Sequence, residues 1–103
     1  MEEVSIQSTP NQQVEYTAPD GRFYSIHLYS FNGLTFADVK IDNVEACYGV
    51  VCVPNANLIP YDYMAQNGGN FRFQCNNENY PYWNYFNNTQ QLYYYSPEEI
   101  AKL

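Results

Sequence analysis

The chain has 103 residues, a length that fits one small domain with a single hydrophobic core. It carries 4 Lys plus Arg against 11 Asp plus Glu, a net charge of −7, so it lacks the basic stripe that binds nucleic-acid phosphates or anionic lipid. Its longest apolar stretches are too short to span a bilayer. We therefore predict a single domain over residues 1–103 that binds neither membranes nor specific nucleic-acid sequences.

The first 13 residues are polar and contain one proline. Val4 and Ile6 alternate with polar residues there, which favours an extended N-terminal arm or a short first strand. The chain opens with acidic residues where a secretory signal would place a basic region and a long apolar run, which is typical of a mature cytosolic start. The chain has three cysteines, an odd number, and in the cytosol these are predicted to be reduced, partly buried thiols.

Three turn motifs divide the next 40 residues into consecutive strands. Ala18-Pro-Asp-Gly21 supplies proline and glycine for a first hairpin. Asn32-Gly33 is typical of a type I′ turn, which needs positive φ at both central residues, and Asp42-Asn43 supplies the third turn. Rings occupy both faces of the second strand, which predicts that it is covered on both sides. The predicted strands of this meander cover residues 14–17, 22–31, 34–41 and 44–53.

The second half of the chain is less regular. Pro54 and Pro60 exclude an ordinary central strand, so residues 54–63 are predicted to form an ordered loop or a sheet edge. Ser96-Pro97-Glu98-Glu99 has the N-cap, first-turn proline and third-position glutamate of a helix start. The chain is thus predicted to be mainly β, a small antiparallel β-barrel or sandwich with a short C-terminal helix. Further predictions are a turn at 67–70, strands at 71–75 and 91–95, and a loop at 76–79.

Residue patterns for catalysis or metal binding are weak. His27 is the only histidine, and the spacing Cys47-x4-Cys52 lacks the short knuckle of structural zinc sites. No glycine-flanked nucleophile turn surrounds any thiol, and the glycines do not form a phosphate-binding pattern before a helix. We therefore predict no catalytic residue, no metal site and no cofactor.

The last third of the chain is unusually rich in aromatic residues, in a chain with 12 Tyr and 6 Phe. Tyrosine buries its ring while its hydroxyl keeps a polar partner, so runs of tyrosine suit subunit interfaces and ligand platforms. Three interpretations of residues 80–86 are open: a subunit interface, a loop that caps its own core, or a sugar-stacking platform. The candidate interface residues are Tyr80, Tyr82, Trp83, Tyr85, Phe86, Tyr93, Tyr94 and Tyr95.

Short motifs follow one another along nearly the full length of the chain. They are Thr9-Pro-Asn-Gln12, Asp20-Gly-Arg-Phe-Tyr24 with the strand to Leu28, Ala37-Asp-Val39, Gly49 followed by Cys52-Val-Pro-Asn55, Leu58-Ile-Pro-Tyr61, Gly69-Asn-Phe-Arg-Phe73, Tyr80-Pro-Tyr-Trp83 and Leu92-Tyr-Tyr-Tyr-Ser-Pro-Glu-Glu99. In this order and spacing they resemble the small baseplate plug family of contractile-tailed bacteriophages. One departure is visible after Phe86, where the family pattern has a glycine and this chain has Asn87-Asn88. Asparagine tolerates left-handed φ better than most residues, so the turn is expected to survive.

This resemblance implies a structural virion component without enzymatic activity, made in the host cytoplasm and built into the tail baseplate. Its implied partners are tail tube, hub and wedge proteins, and a symmetric oligomer in the particle is expected. A protein built into such an assembly buries much of its surface, which fits few charges and many exposed rings. The alternative is a β-sandwich carbohydrate-binding module that uses Tyr82, Trp83 and Tyr85 as its platform.

Overall fold

The computed structural model describes residues 1–76 and 79–103. Within these ranges the chain forms seven strands, two short α-helices and one 3-10 helix. The predicted loop at 76–79 therefore lies partly outside the described residues. The elements are β1 (Glu2–Val4), β2 (Asn11–Thr17), β3 (Phe23–Phe31), β4 (Leu34–Ile41), β5 (Val44–Val51), α1 (Asp62–Ala65), β6 (Asn70–Cys75), the 3-10 helix (Trp83–Tyr85), β7 (Gln90–Tyr95) and α2 (Pro97–Ala101).

Strands β2 to β5 form a four-stranded antiparallel sheet in chain order, which confirms the predicted meander. Both predicted tight turns are present, and both have a left-handed backbone, which the sequence predicted for Asn32-Gly33. Asn32 and Gly33 have φ of 53° and 76°, and Asp42 and Asn43 have φ of 51° and 67°. These asparagine and glycine residues fix the register of the sheet, because two-residue loops of this type set the strand pairing directly.

Strands β1, β7 and β6 form a second antiparallel sheet of three strands in that spatial order. The two sheets face each other across a shared core and do not close into a barrel within the described residues. Tyr24 of β3 meets Phe71 of β6 edge to face at a centroid distance of 5.0 Å, and Tyr16 of β2 lies 5.0 Å from Tyr94 of β7. The sandwich, one of the two predicted architectures, is therefore the observed one.

Strand β3 shows how the chain fills the core from one face of each strand. Tyr24, Ile26 and Leu28 are almost fully buried and point toward the other sheet, while the intervening residues are half-buried or exposed. The prediction that both faces of this strand are covered is wrong for the single chain. Phe31 is 63 % exposed on the side away from the core.

Irregular segments close the remaining edges of the sandwich. Pro54 and Asn57 form isolated bridges with β6, which agrees with the predicted ordered segment at a sheet edge. Helix α1 begins inside the segment predicted as loop or sheet edge, at Asp62, and was not predicted. The predicted C-terminal helix is confirmed as α2, where Ser96 and Glu99 form a reciprocal capping box.

Candidate protein-docking site

The candidate site is the aromatic segment, residues 80–86, which connects β6 to β7 across one end of the sandwich. Its centre is the 3-10 helix over Trp83–Tyr85. Thr35, which is buried at the start of β4, donates a hydrogen bond from its Oγ1 to the Pro81 carbonyl oxygen at 2.7 Å. Since Thr35 follows the β3–β4 turn, the aromatic segment lies at the same end of the sandwich as Phe31.

Polar side chains from three parts of the chain hold this segment in place. Gln90, which is 1 % exposed, accepts a hydrogen bond from the Tyr82 amide at 2.9 Å and donates to the Tyr80 carbonyl oxygen at 3.1 Å. Ser8 Oγ donates to the Trp83 carbonyl oxygen at 2.8 Å. The segment is therefore anchored to three separate parts of the chain through its backbone.

The turn after the aromatic segment settles the one departure from the family pattern. Asn87 has φ of 66°, so asparagine takes the left-handed conformation for which glycine was expected. Its side chain also donates to the Ile6 carbonyl oxygen at 2.7 Å. The turn survives, and the amide adds a tie to the N-terminal residues that glycine could not supply.

The eight candidate residues fall into three places. Tyr80 and Tyr85 are 49 % and 44 % exposed at the end of the sandwich, and the half-buried rings of Tyr82 and Trp83 lie beside them, 5.8 Å apart. Phe86 is buried and stacks on Phe73 of β6 at 5.3 Å. The aromatic segment thus exposes the rings of Tyr80 and Tyr85 and buries that of Phe86, while the half-buried ring of Trp83 packs against the core.

The three tyrosines of β7 divide between the two faces of the smaller sheet. Tyr94 is buried among the core rings, whereas Tyr93 is half-buried on the opposite face. Tyr95 is also buried, under Arg72 at 6.0 Å, and accepts a hydrogen bond from Gln74 at 2.8 Å. Burial of Phe86 and Tyr94 corresponds to the alternative in which rings cap the chain's own core, and an interface role stays a prediction for the accessible rings.

Sequence reasoning missed further exposed rings and the residues that position the site. Tyr61 and Tyr63, near α1, stack at 5.9 Å and are 59 % and 76 % exposed. Thr35 and Gln90 were not predicted as anchors, since their partners lie 46 and up to 11 residues away in the chain. A polar residue at an inward-facing strand position is the signal that could have found Thr35.

The described residues carry little chemistry beyond packing. Cys47, Cys52 and Cys75 are free and buried, and burial raises the pKa of the Cys75 thiol to about 11 and that of Cys52 further. Thiols held in the neutral form are poor nucleophiles. In residues 1–76 and 79–103, no group of three or more His, Cys, Asp or Glu side chains is placed to hold a metal ion. No helix in the same ranges is both long and apolar enough to cross a membrane.

Comparison with known protein families gives a match over nearly the whole chain. The family described as cyanophage baseplate Pam3 plug gp18 matches residues 1–98. A search of curated proteins finds no match. The matched range includes every strand, the aromatic segment and the start of α2. The chain therefore belongs to the cyanophage baseplate plug family.

Proposed function

We propose that this chain is a structural component of a bacteriophage tail baseplate, located in the virion, that connects tail tube, hub and wedge proteins and has no enzymatic activity. The family match over residues 1–98 carries the proposal, because it spans the whole sandwich. The family is a baseplate plug family, which implies a structural role. The chain is made in the host cytoplasm and assembles there with its partners.

The geometry supports docking at the end of the sandwich. Tyr80 and Tyr85 expose about half of their surface on a segment whose backbone is fixed by buried hydrogen bonds. Rigid aromatic side chains lose little conformational entropy when a partner covers them, and they are enriched among residues that dominate binding energy. The half-buried rings of Tyr82 and Trp83 extend this surface. We assign the accessible rings of the aromatic segment as the first docking surface.

The direct test is the composition and structure of purified particles of the phage that encodes the chain. Mass spectrometry is expected to find the chain in the particles, and electron cryomicroscopy is expected to place it in the baseplate with residues 80–86 against another protein. Absence from the particles would contradict the function. Presence with the aromatic segment exposed to solvent would contradict only the docking surface.

A pair of variants tests the surface itself. Changing Tyr80 and Tyr85 to serine removes exposed ring area and is expected to lower incorporation into particles. Tyr63→Ser is the matched control, because Tyr63 is 76 % exposed and lies three residues before Gln66 in the chain. The Gln66 carbonyl oxygen accepts a hydrogen bond from the guanidinium of Arg22, which lies just before β3, at the end opposite Phe31. Equal incorporation of the wild-type chain, the chain with Tyr80 and Tyr85 changed, and the Tyr63→Ser chain would refute the docking surface. Specific binding of cell-wall sugars would instead favour the carbohydrate-binding module.

A further inference from the structure

The outer face of the four-stranded sheet, the side turned away from the core, is divided into two halves along the strands. The cross-strand register places outward residues in rows that run from β2 to β5. Next to the Thr17–Phe23 pair at the β2–β3 turn lie two rows that are polar or charged, and two rows near the β3–β4 turn are largely apolar. The first two rows are Glu15, Ser25, Lys40, Glu45 and Gln13, His27, Asp38; the other two are Asn11, Tyr29, Phe36, Val51 and Phe31, Leu34.

The apolar half is a continuous patch on three neighbouring strands. Tyr29 of β3 stacks on Phe36 of β4 at 5.9 Å and 21°, and Val51 of β5 lies opposite Phe36. Phe31 and Val51 are 63 % and 40 % exposed. Soluble proteins that act alone rarely expose contiguous rings and aliphatic side chains in this way. The patch lies at the same end of the sandwich as the aromatic segment, so the two surfaces adjoin.

The polar half contains a groove of about 340 Å³, lined by the carboxylates of Asp38 and Glu45, the ammonium group of Lys40, the ring of Tyr48 and the side chains of Gln13, Ser25 and His27. A β-bulge shapes this groove, because Ala37 and Val39 pair with residues three positions apart on β5. Gly49 in the bulge has φ of 63°, and its amide donates to Asp38 Oδ1 at 2.7 Å.

The carboxylate of Asp38 is held in a fixed position within the groove. Tyr29 also donates to Asp38 Oδ1, at 3.2 Å, and Asp38 Oδ2 faces His27 Nδ1 at 3.7 Å. The Asp38 side chain is only 16 % exposed, whereas Tyr48 is 70 % exposed beside it. A fixed carboxylate next to an accessible aromatic ring suits a cationic side chain, through charge and through cation–π attraction.

Charge distinguishes between two occupants of this face, a second copy of the chain and a different protein. Three carboxylates, those of Glu15, Asp38 and Glu45, lie on the outer face with one ammonium group, that of Lys40, and the whole chain carries −7. Two copies placed face to face would bring like charges together, which costs binding energy. A basic partner gains from the same charges.

We propose that the outer face of the four-stranded sheet docks onto a different protein, one that presents apolar side chains next to a lysine or arginine. The apolar side chains cover the patch around Phe31 and Phe36, and the basic side chain enters the groove beside Asp38 and Tyr48. This inference rests on the proposed function and adds a second surface, next to the aromatic segment, together with the chemistry of its partner.

Site-specific photo-crosslinking in purified particles tests which molecule covers this face. The photoreactive residue p-benzoylphenylalanine replaces Phe31 or Tyr48 in separate chains, and replaces Tyr63 in the control chain. We expect crosslinks from Phe31 and Tyr48 to another tail protein, at a segment that contains lysine or arginine. Crosslinks only to a second copy of the chain, or none at these positions in a chain that is present in the particles, would overturn the inference.

Competitive incorporation tests the charge. Tagged wild-type and variant chains are supplied together during infection, and their ratio in particles is measured by mass spectrometry. Glu45→Lys places a cation where we expect a basic side chain, so its share is expected to fall about tenfold or more. Glu98→Lys, on the exposed surface of α2, is the matched control with the same charge change. Equal shares for both variants would refute the electrostatic part, while absence of every chain from the particles would refute the proposed function instead.

Discussion

Gly69 is the position where the structure predicts the largest effect from the smallest change. It lies in the turn between α1 and β6 and is buried. A methyl group there would lie 2.5 Å from Tyr94 Oη and 2.6 Å from Tyr94 Cζ, and would meet the Tyr95 carbonyl oxygen inside van der Waals contact. The Gly69 backbone is in a region that other residues adopt, so the conflict is one of space alone.

The size of the expected loss of stability depends on which atoms would have to move to accommodate the added methyl group. Overpacking a well-packed site costs about 1–3 kcal/mol, and the cost is highest when the obstacle is a backbone atom of a central strand. β7 is the central strand of the smaller sheet, so its carbonyl cannot rotate away without breaking the ladder. We expect Gly69→Ala to lower the free energy of unfolding by about 3 kcal/mol, which corresponds to a Tm lower by roughly 12–24 °C for a domain of this size.

Urea unfolding followed by the fluorescence of Trp83, the only tryptophan, measures this cost. Gly33→Ala is the matched control, because Gly33 has φ of 76° but nothing within 4 Å of an added methyl group. Its expected cost is about 1–2 kcal/mol, from backbone conformation alone. A Gly69→Ala chain as stable as wild type, or more stable than Gly33→Ala, would refute the packing argument.

Two further predictions concern the buried groups around the core. Thr35→Val leaves the Pro81 carbonyl without its hydrogen bond, so it is expected to lower the free energy of unfolding by about 1–3 kcal/mol and to speed amide exchange in the aromatic segment. The control Thr17→Val, on the exposed side of β2, is expected to be nearly neutral. Equal stability of the two variants would contradict the anchoring role of Thr35. Burial raises the pKa of Cys75 to about 11, and burial with a hydrogen bond to Glu2 raises that of Tyr16 to about 12. The folded chain keeps these protons to higher pH than the unfolded chain, so the free energy of unfolding is expected to fall as the pH rises from about 9 to about 12. Urea midpoints that stay constant or rise over that range would exclude this linkage.

The sequence predicted the larger sheet well because each of its turns is determined locally. Asn32-Gly33 and Asp42-Asn43 can adopt the left-handed conformations that a two-residue hairpin loop requires, and strand lengths follow from the distances between turns. The capping box of α2 is local in the same way. Alternation along β3 then gives its inward face without any knowledge of the other sheet.

The smaller sheet and the aromatic segment depend on contacts that the sequence does not display. β1 pairs with β7 almost 90 residues away, and Asn87 reaches Ile6 across a similar distance. Whether a ring in the run of aromatic residues is buried depends on these contacts, so Phe86 and Tyr94 could not be distinguished from Tyr80 and Tyr85 by pattern alone. The bulge at Gly49 was hidden for the same reason, because it exists only in the pairing of β4 with β5.

Many of the Asn and Gln side chains of this sequence have a role inside the fold. Asn70, which is 5 % exposed, pairs both the amide and the carbonyl of Ile59, and Gln90 fixes the backbone of the aromatic segment. Asparagine also takes left-handed positions at Asn55 and Asn87. Amides that satisfy backbone groups inside the fold need no neighbouring protein, so docking has to be inferred from the exposed rings and from the apolar half of the outer face.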